Sequence, residues 1–575
     1  MSVNMENIKD KIHKIVAKYL PDEADFSVTP SPSAELGDIC LPCFPLAKLM
    51  KKSPDAVAVD LKSRLSEDKN LSAIINKIET KAGYLNFYLR PGFLAGGVIT
   101  EILKKKEKYG DGASGKNKRV MVEYVSPNSN KPLHLGHIRN ALLGESVSNI
   151  LTSQGYKVIR AALVNDRGVH ICKSMLAYKL WGKNDTPEKS GIKPDHFVVK
   201  YYMMFGERAK QNPELEDEAR EMLKLWEAGD KATKVLWKKM NAWVYGGWKS
   251  TYKTLGVKFD ILNFESKVYK KGREIIMGEF VKGTFQKDEN GNYIAKLSGL
   301  PDKVVLRADG TSVYITTDLY LAEERFKKFK LNSLVYVVGA EQDLHFRQLF
   351  QIFNLLGFGW AKDAYHLNYG LVLLPEGRLK SREGVKVDAD EIANHLTELS
   401  REDLKSRYEV LLKEKEIDVR SRAIALAALK FHLLNVTPAA PIHFNPKESL
   451  AFSGKTGPYL QYVYARINSI LKKTGGFAGG KPDFNLLNTP VDKSILMRLQ
   501  DFPFVLERAA VEYNPADLTN YLYDLSKDFS DFYESEQILK APKDVARARI
   551  ALIQAVQIVL ARGLSLLGIE TLKEM

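Results

Sequence analysis

At 575 residues and 64.8 kDa, the chain is too long for one core at roughly 100–200 residues per domain, so several domains are expected. Hydrophobic residues at 45% and charged residues at 27% exclude a largely disordered or fibrous chain, and three cysteines cannot build a disulfide framework, which favours a reducing compartment. Lysine and arginine total 85 against 70 acidic residues, and the resulting +15 suits a polyanionic partner or, equally, a plain basic surface.

Taken in order, Ile8, Ile12, Ile15, Val16 and Tyr19 sit near helical spacing and predict an opening amphipathic helix. Leu85, Phe87 and Leu89 alternate with Asn86 and Tyr88, as in a half-buried strand. These belong to a small N-terminal domain, joined to the rest by the charged, glycine-rich stretch Lys104 to Arg119. Val120, Met121, Val122, Tyr124 and Val125 form a short apolar run suited to a strand buried on both faces. Leu135 to Ser153 reads as a helix and Val158 to Val164 as a second strand, which makes a βαβ unit. A Lys/Glu/Trp-rich helical insertion follows at about 183–260. Leu334–Val338, Leu344–Leu356 and Tyr365–Leu374 then read as strand, helix and strand. From about Ile392 the pattern turns helical, with Arg422–Val436 and Val545–Leu567 the strongest stretches and Thr474–Pro482 a glycine-rich joint.

No run of roughly 18 apolar residues occurs, and the most apolar stretch, Ile550 to Leu560, is broken by Gln554 and Gln557. The N-terminus carries charges throughout and lacks a signal peptide's apolar core, so a cytoplasmic protein with no membrane partner is expected.

The segment richest in chemistry is Glu123 to Asn140, EYVSPNSNKPLHLGHIRN. His134, Gly136 and His137 fall where the first strand gives way to a helix, and that junction aims backbone N–H groups and the positive end of the helix dipole at an anion. Gly136 allows close approach of a nucleotide, and two imidazoles three residues apart share one face of the first turn. Such a pair can donate to phosphate oxygens that gain charge in a transition state.

HLGH resembles the HIGH signature of class I aminoacyl-tRNA synthetases, and SPNSNKPLHLGHIRN is similar to the arginyl-tRNA synthetases in particular. RADGTSVYITTD (307–318), GAEQ (339–342), GRLKSREG (377–384), TGPYLQYVYAR (456–466) and the closing LLGIETLKEM have counterparts there in the same order, and the N-terminal GDICLPCFPLAK and GYLNFYL resemble that family's N-terminal domain. The resemblance implies an α/β multidomain protein. A small N-terminal α/β domain that contacts tRNA (1–110) would precede a Rossmann-like parallel-sheet catalytic domain with a helical insertion (118–400) and a C-terminal helical anticodon-binding bundle (401–575).

The implied reaction is ligation of arginine to tRNA. The carboxylate of L-arginine attacks the α-phosphate of ATP, pyrophosphate leaves, and a ribose hydroxyl of the terminal adenosine of tRNA(Arg) takes the acyl group. The attacking groups belong to the substrates, so the protein's share is positioning and charge stabilisation. ATP is then a substrate accompanied by Mg2+, no structural metal is expected, and a monomer is the family expectation. His134, Gly136, His137 and Lys131 would meet ATP. A guanidinium needs anions in planar geometry, and by resemblance Glu123 and Asp318 supply them, with Tyr314 adding a hydroxyl. Asn128 and Gln342 match the positions that hold the α-amino end.

The second class signature, KMSKS, is degenerate here. Arg378, Lys380 and Arg382 supply cations without the usual lysine pattern, and Lys131 stands where a compensating lysine is found in this family. Tyr459, Tyr462 and Arg466 lie on one helical face and suit stacking against unpaired anticodon bases, with Tyr533 and Met575 at further matching positions. Cys40 and Cys43 form a CxxC without enough neighbours for a zinc site, and Gly454–Lys455–Thr456 lacks the glycine and the strand of a P-loop. Asp166 and His170 are weaker pocket candidates. The alternatives are a class I synthetase of another specificity, or an inactive RNA-binding paralogue.

Overall fold

Val120, Met121 and Val122 point alternately to opposite faces of their strand, and both faces are buried. Val120 and Val122 enter the main core, and Met121 enters a second core with Tyr336, Phe346 and Phe353. Arg119–Glu123 is thus the central strand of a five-stranded, wholly parallel sheet. The spatial order is Ala364–Tyr369, Ser333–Gly339, Arg119–Glu123, Lys157–Val164, Ile261–Phe264. The chain winds one way from the central strand and later returns on its other side. The resulting switch point, between Arg119–Glu123 and Ser333–Gly339, opens a crevice beyond the carboxyl ends of the strands.

The computed structural model describes residues 5–32, 36–374, 388–408, 412–474 and 480–575. Arg378, Lys380 and Arg382 of the degenerate signature loop, and residues 475–479 of the glycine-rich joint, lie outside them.

The insertion consists chiefly of three helices, Pro194–Ala209, Glu214–Ala228 and Lys231–Leu255, placed between the second and third strands. A small antiparallel sheet, Gln286–Lys287, Tyr293–Ala295 and Lys303–Leu306, has no counterpart in the sequence reading. Strands of two to four residues hold too few positions for alternation to register.

At the N-terminus, the helix Met5–Ala17 buries Ile8, Ile12, Ile15 and Val16 in the same core as Ile39, Leu41, Leu85 and Phe87 of a four-stranded antiparallel sheet. The stretch read as a joint does not hang free. The helix that leads into it, Pro91–Lys105, packs on the C-terminal bundle, and within the stretch Tyr109 is buried against Phe502 and its hydroxyl donates to Leu499 O at 2.9 Å. Cys40, Cys43 and Cys172 are buried free thiols, and burial pushes the Cys43 thiol up to about 11.

The C-terminal bundle contains the helices Glu414–Leu434, Gly457–Lys473, Pro490–Val511, Pro515–Ser535 and Lys543–Leu566. Among the described residues, only Lys543–Leu566 is long and apolar enough to cross a membrane by length and composition. Here Leu552, Val556, Val559 and Leu560 of its stripe lie in the core. Thr456 of the P-loop decoy is the N-cap of Gly457–Lys473 and accepts from Tyr459 N at 3.2 Å.

Candidate active site

The turn out of the central strand is strained. Val125 takes φ 54°, a left-handed conformation that a β-branched residue holds only under constraint. Asn140 supplies that constraint: its Oδ1 accepts from Val125 N at 2.7 Å, and its Nδ2 donates to Val337 O at 2.7 Å. One side chain therefore ties together the ends of the two strands that flank the crevice.

His134 is the N-cap of the helix Leu135–Ser153, its Nδ1 accepting from Gly136 N at 3.1 Å. His137 closes the capping box, its Nδ1 accepting from His134 N at 3.2 Å. The two rings lie 3.9 Å apart between centroids. Because each Nδ1 accepts a backbone N–H, the neutral tautomer carries its proton on Nε2, at the helix N-terminus. A Cβ on Gly136 would sit 3.0 Å from the His134 ring, so any other residue there would press on the cap. Lys131, Asn128 and Gln342 are exposed near this crevice, and Asn128 is bridged to Asn165 at the end of the second strand.

The helix Tyr314–Phe329 is tied to the end of the central strand through Arg325 and Glu123. Tyr314 at its first turn is 74% exposed, and Asp318, one turn on, is partly exposed and accepts from His345 Nε2 at 2.8 Å. Seven residues further along this stripe, Arg325 reaches Glu123 in a wholly buried ion pair. Glu123 is therefore not an open anion: it already holds a guanidinium of the chain's own. Burial pushes its carboxyl up against the pull of Arg325, while Glu123 holds the guanidinium protonated.

Asp166 is spoken for as well. It is buried and accepts from Ser266 N at 2.8 Å, Ser266 Oγ at 2.7 Å and Tyr245 Oη at 3.3 Å, which makes it a brace from the end of the second strand to the insertion helix of Tyr245 and to the turn after Ile261–Phe264. His170 is exposed, 3.5 Å from Tyr202 Oη.

Sequence reasoning missed Arg325, His345 and Arg139. Arg325 was legible as the continuation of the Tyr314–Asp318 stripe, and His345 as part of the turn after GAEQ. Arg139 is fully buried, and its guanidinium donates to Gly370 O at 2.5 Å, Pro438 O at 2.9 Å and Ala440 O at 2.8 Å. It ties the motif helix to the last sheet strand and the C-terminal region. A nearby acid, Glu265, is pushed up to about 7 by burial and interacts electrostatically with Asp318.

A second site lies in the bundle. Tyr462, Arg466, Tyr533 and Met575 line one cavity of about 650 Å³. Arg466 Cζ is 4.8 Å from the ring centroids of both Tyr462 and Tyr533. The C-terminal strap reaches this cavity because Gln461 Nε2 donates to Glu570 O at 2.7 Å and Asn468 Nδ2 to Lys573 O at 3.0 Å. Tyr459 does not join them. It is half-buried between helices, its hydroxyl 3.0 Å from Ser530 Oγ, and it is absent from the cavity lining.

A parallel sheet with a two-imidazole helix N-terminus at its switch point belongs to the class I tRNA synthetases, and residues 98–440 match their family "tRNA synthetases class I (R), catalytic domain". Residues 5–89 match the arginyl tRNA synthetase N terminal domain, and residues 460–575 match the DALR anticodon binding domain. The chain belongs to the arginyl-tRNA synthetase family. It is 44% identical to the arginine–tRNA ligase of Treponema denticola over 99% of this chain and 100% of that one. It is 39% identical to the arginine–tRNA ligase of Porphyromonas gingivalis over 93% of each. The arginyl-tRNA synthetase structure from Thermus thermophilus superposes with a TM-score of 0.78 at 26% identity, over 99% of this chain and 100% of that one.

Proposed function

We propose that the chain activates L-arginine with ATP and transfers it to tRNA(Arg), with the pocket and the phosphate motif in the following roles. The observation that carries this reading is that Glu123 joins the two halves: it ends the strand that leads into HLGH and is paired to the helix bearing Tyr314 and Asp318. Asp318 is the accessible anion for the substrate guanidinium, Tyr314 its hydroxyl partner, and Glu123 with Arg325 the charged floor beneath them. Asn128 and Gln342 receive the α-amino group, which leaves the carboxylate directed at ATP. His134 and His137 donate from Nε2, and Lys131 adds charge, as the α-phosphate gains negative charge and pyrophosphate departs. A terminal ribose hydroxyl of tRNA then attacks the mixed anhydride, and AMP leaves.

Mg2+ enters on ATP in this reading. The described donors of the motif are imidazoles and backbone N–H groups, so the triphosphate supplies the hard oxygen ligands that magnesium prefers. The domain limits are 1–110, 118–400 and 401–575, with the first and last contacting tRNA. The reaction is placed in the cytoplasm, in keeping with the three free thiols, and the working unit is a monomer.

ATP–pyrophosphate exchange across the twenty amino acids, with and without tRNA, tests the assignment. Exchange is expected with arginine alone and to depend on tRNA. Another amino acid as the sole substrate would overturn the specificity, and no exchange under any condition would leave only an RNA-binding role.

The bundle cavity is the proposed anticodon contact. Tyr462→Ala and Tyr533→Ala each remove a stacking platform worth roughly 1–3 kcal/mol, so each is expected to raise the KM for tRNA about 5- to 150-fold with little change in kcat at saturation. Tyr459→Ala is expected instead to lower the melting temperature and to leave the KM for tRNA nearly unchanged. The reverse ranking in steady-state aminoacylation would move the contact to Tyr459.

A further inference from the structure

One charged cluster lies outside these roles, where the insertion meets the start of the helix Ala389–Tyr408. Lys193 Nζ lies 2.5 Å from Asp390 Oδ2, 3.2 Å from Asp195 Oδ2 and 2.6 Å from Thr251 Oγ1. His196 Nε2 lies 3.1 Å from Asp388 Oδ2 and 3.4 Å from Asp390 Oδ2. Thr251 Oγ1 also donates to Asp390 Oδ1 at 3.1 Å. Ligand atoms of Asp195, His196 and Asp390 lie within 4.8 Å of one another, a spacing that could hold a metal ion. The Lys193 ammonium already sits on both carboxylates, however, so the cluster brings its own cation.

The cluster joins three elements. Lys193, Asp195 and His196 stand at the first turn of Pro194–Ala209, and Thr251 belongs to Lys231–Leu255. That second helix is seated closely, since a Cβ on its Gly247 would lie 2.1 Å from Asp195 Oδ1. Asp388 and Asp390 open the third element. Asp388 Oδ1 caps its helix by accepting from Asp390 N at 2.8 Å, which leaves Oδ2 for His196. The backbone beyond leads straight to the phosphate motif: Asp388 bridges antiparallel to His134, and Ala389 N donates to Leu133 O at 2.8 Å.

We propose that His196 and Lys193 are positioning residues for the phosphate motif: by holding Asp388 and Asp390, the insertion sets the backbone of Leu133 and His134. The inference rests on the reading of His134 as a phosphate donor. The carboxylates hold the His196 imidazolium up to about 10, and His196 and Lys193 hold Asp390 down at about 2, so His196 and Asp390 stay charged across the physiological range, while burial pushes the Asp195 carboxyl up. The groups facing His196 are Asp388 and Asp390 from the third element, Lys193 and Asp195 from its own, and Thr251 from Lys231–Leu255.

The test is ATP–pyrophosphate exchange with saturating arginine and tRNA on His196→Ala, His196→Gln, Asp388→Asn and the double variant His196→Ala/Asp388→Asn, each also followed by thermal melting. A displaced donor costs roughly 10- to 100-fold, so His196→Ala is expected to lower kcat by that factor with the KM for arginine unchanged. Gln places an uncharged donor near the same point and is expected to restore most of the rate. Asp388→Asn keeps the helix cap and is expected to show the same loss, with the double variant no worse than either single one. Full kcat in folded His196→Ala overturns the proposal, as do additive losses in the double variant. If His196→Ala does not fold, Asp388→Asn decides alone, and wild-type kcat in it is the refuting result. Absence of exchange in the wild type would refute the ligase reading itself, a separate outcome.

Discussion

Arg325→Met is expected to cost about 3–5 kcal/mol of folding stability, because it leaves the Glu123 carboxylate buried without its counter-charge. Urea unfolding should show the loss at neutral pH. The deficit should shrink as the pH falls: a buried acid with a raised pKa binds its proton more tightly in the folded state, and protonation removes the unpaired charge. Arg325→Met/Glu123→Gln is expected to recover much of the stability, since it removes both charges. Asp318→Asn gives the contrasting result. Asp318 is partly exposed and its partner is a histidine, so the fold is expected to survive while the KM for arginine rises roughly 30- to 1000-fold, equivalent to about 2–4 kcal/mol. The KM for ATP should barely move. A wild-type melt for Arg325→Met would refute the structural role of the pair, and equal rises in both KM values would show that Asp318 holds the fold.

His137→Ala is expected to lower the kcat of ATP–pyrophosphate exchange by about 10²–10³, the cost of about 3–4 kcal/mol for one donor that acts mainly in the transition state. The KM for ATP should change less, because the phosphate carries less charge in the ground state. His137 also receives the His134 N–H, so the variant loses a capping bond worth about 1 kcal/mol and should melt a few degrees lower. That small shift is separable from a hundredfold fall in rate. An unchanged kcat would remove His137 from the reaction.

The reading from residues reached the motif and its setting because both are local. A strand apolar on both faces, a cap, and a helix over Leu135–Ser153 are all specified by neighbouring residues, and the insertion and helical bundle follow from periodicity over long segments. Spacing also put Tyr314 and Asp318 one turn apart on a single helix, as the structure has them. Spacing did not report the partners of two carboxylates: Arg325, which pairs with Glu123 from some 200 residues away, and Ser266, which donates to Asp166. A carboxylate's chemistry is set by whether a cation or donor already occupies it, and residue order does not report that for distant groups. Tyr459 shows the same limit in the bundle: it shares a helical face with Tyr462 and Arg466, yet its hydroxyl is taken up by a neighbouring helix.

Residue order alone was enough for the class of fold, the strand-to-helix junction of HLGH, and the placing of its two imidazoles on the first turn, since each depends on contacts a few positions apart. Packing had to settle which carboxylates already hold a partner within the chain, how Arg139 locks the motif helix to Gly370, Pro438 and Ala440, and how the last residues come back to Tyr462 and Tyr533. Those pairings join groups tens to hundreds of residues apart. Their energies come from burial and from satisfying charge away from water, quantities that exist only once the elements have been brought together.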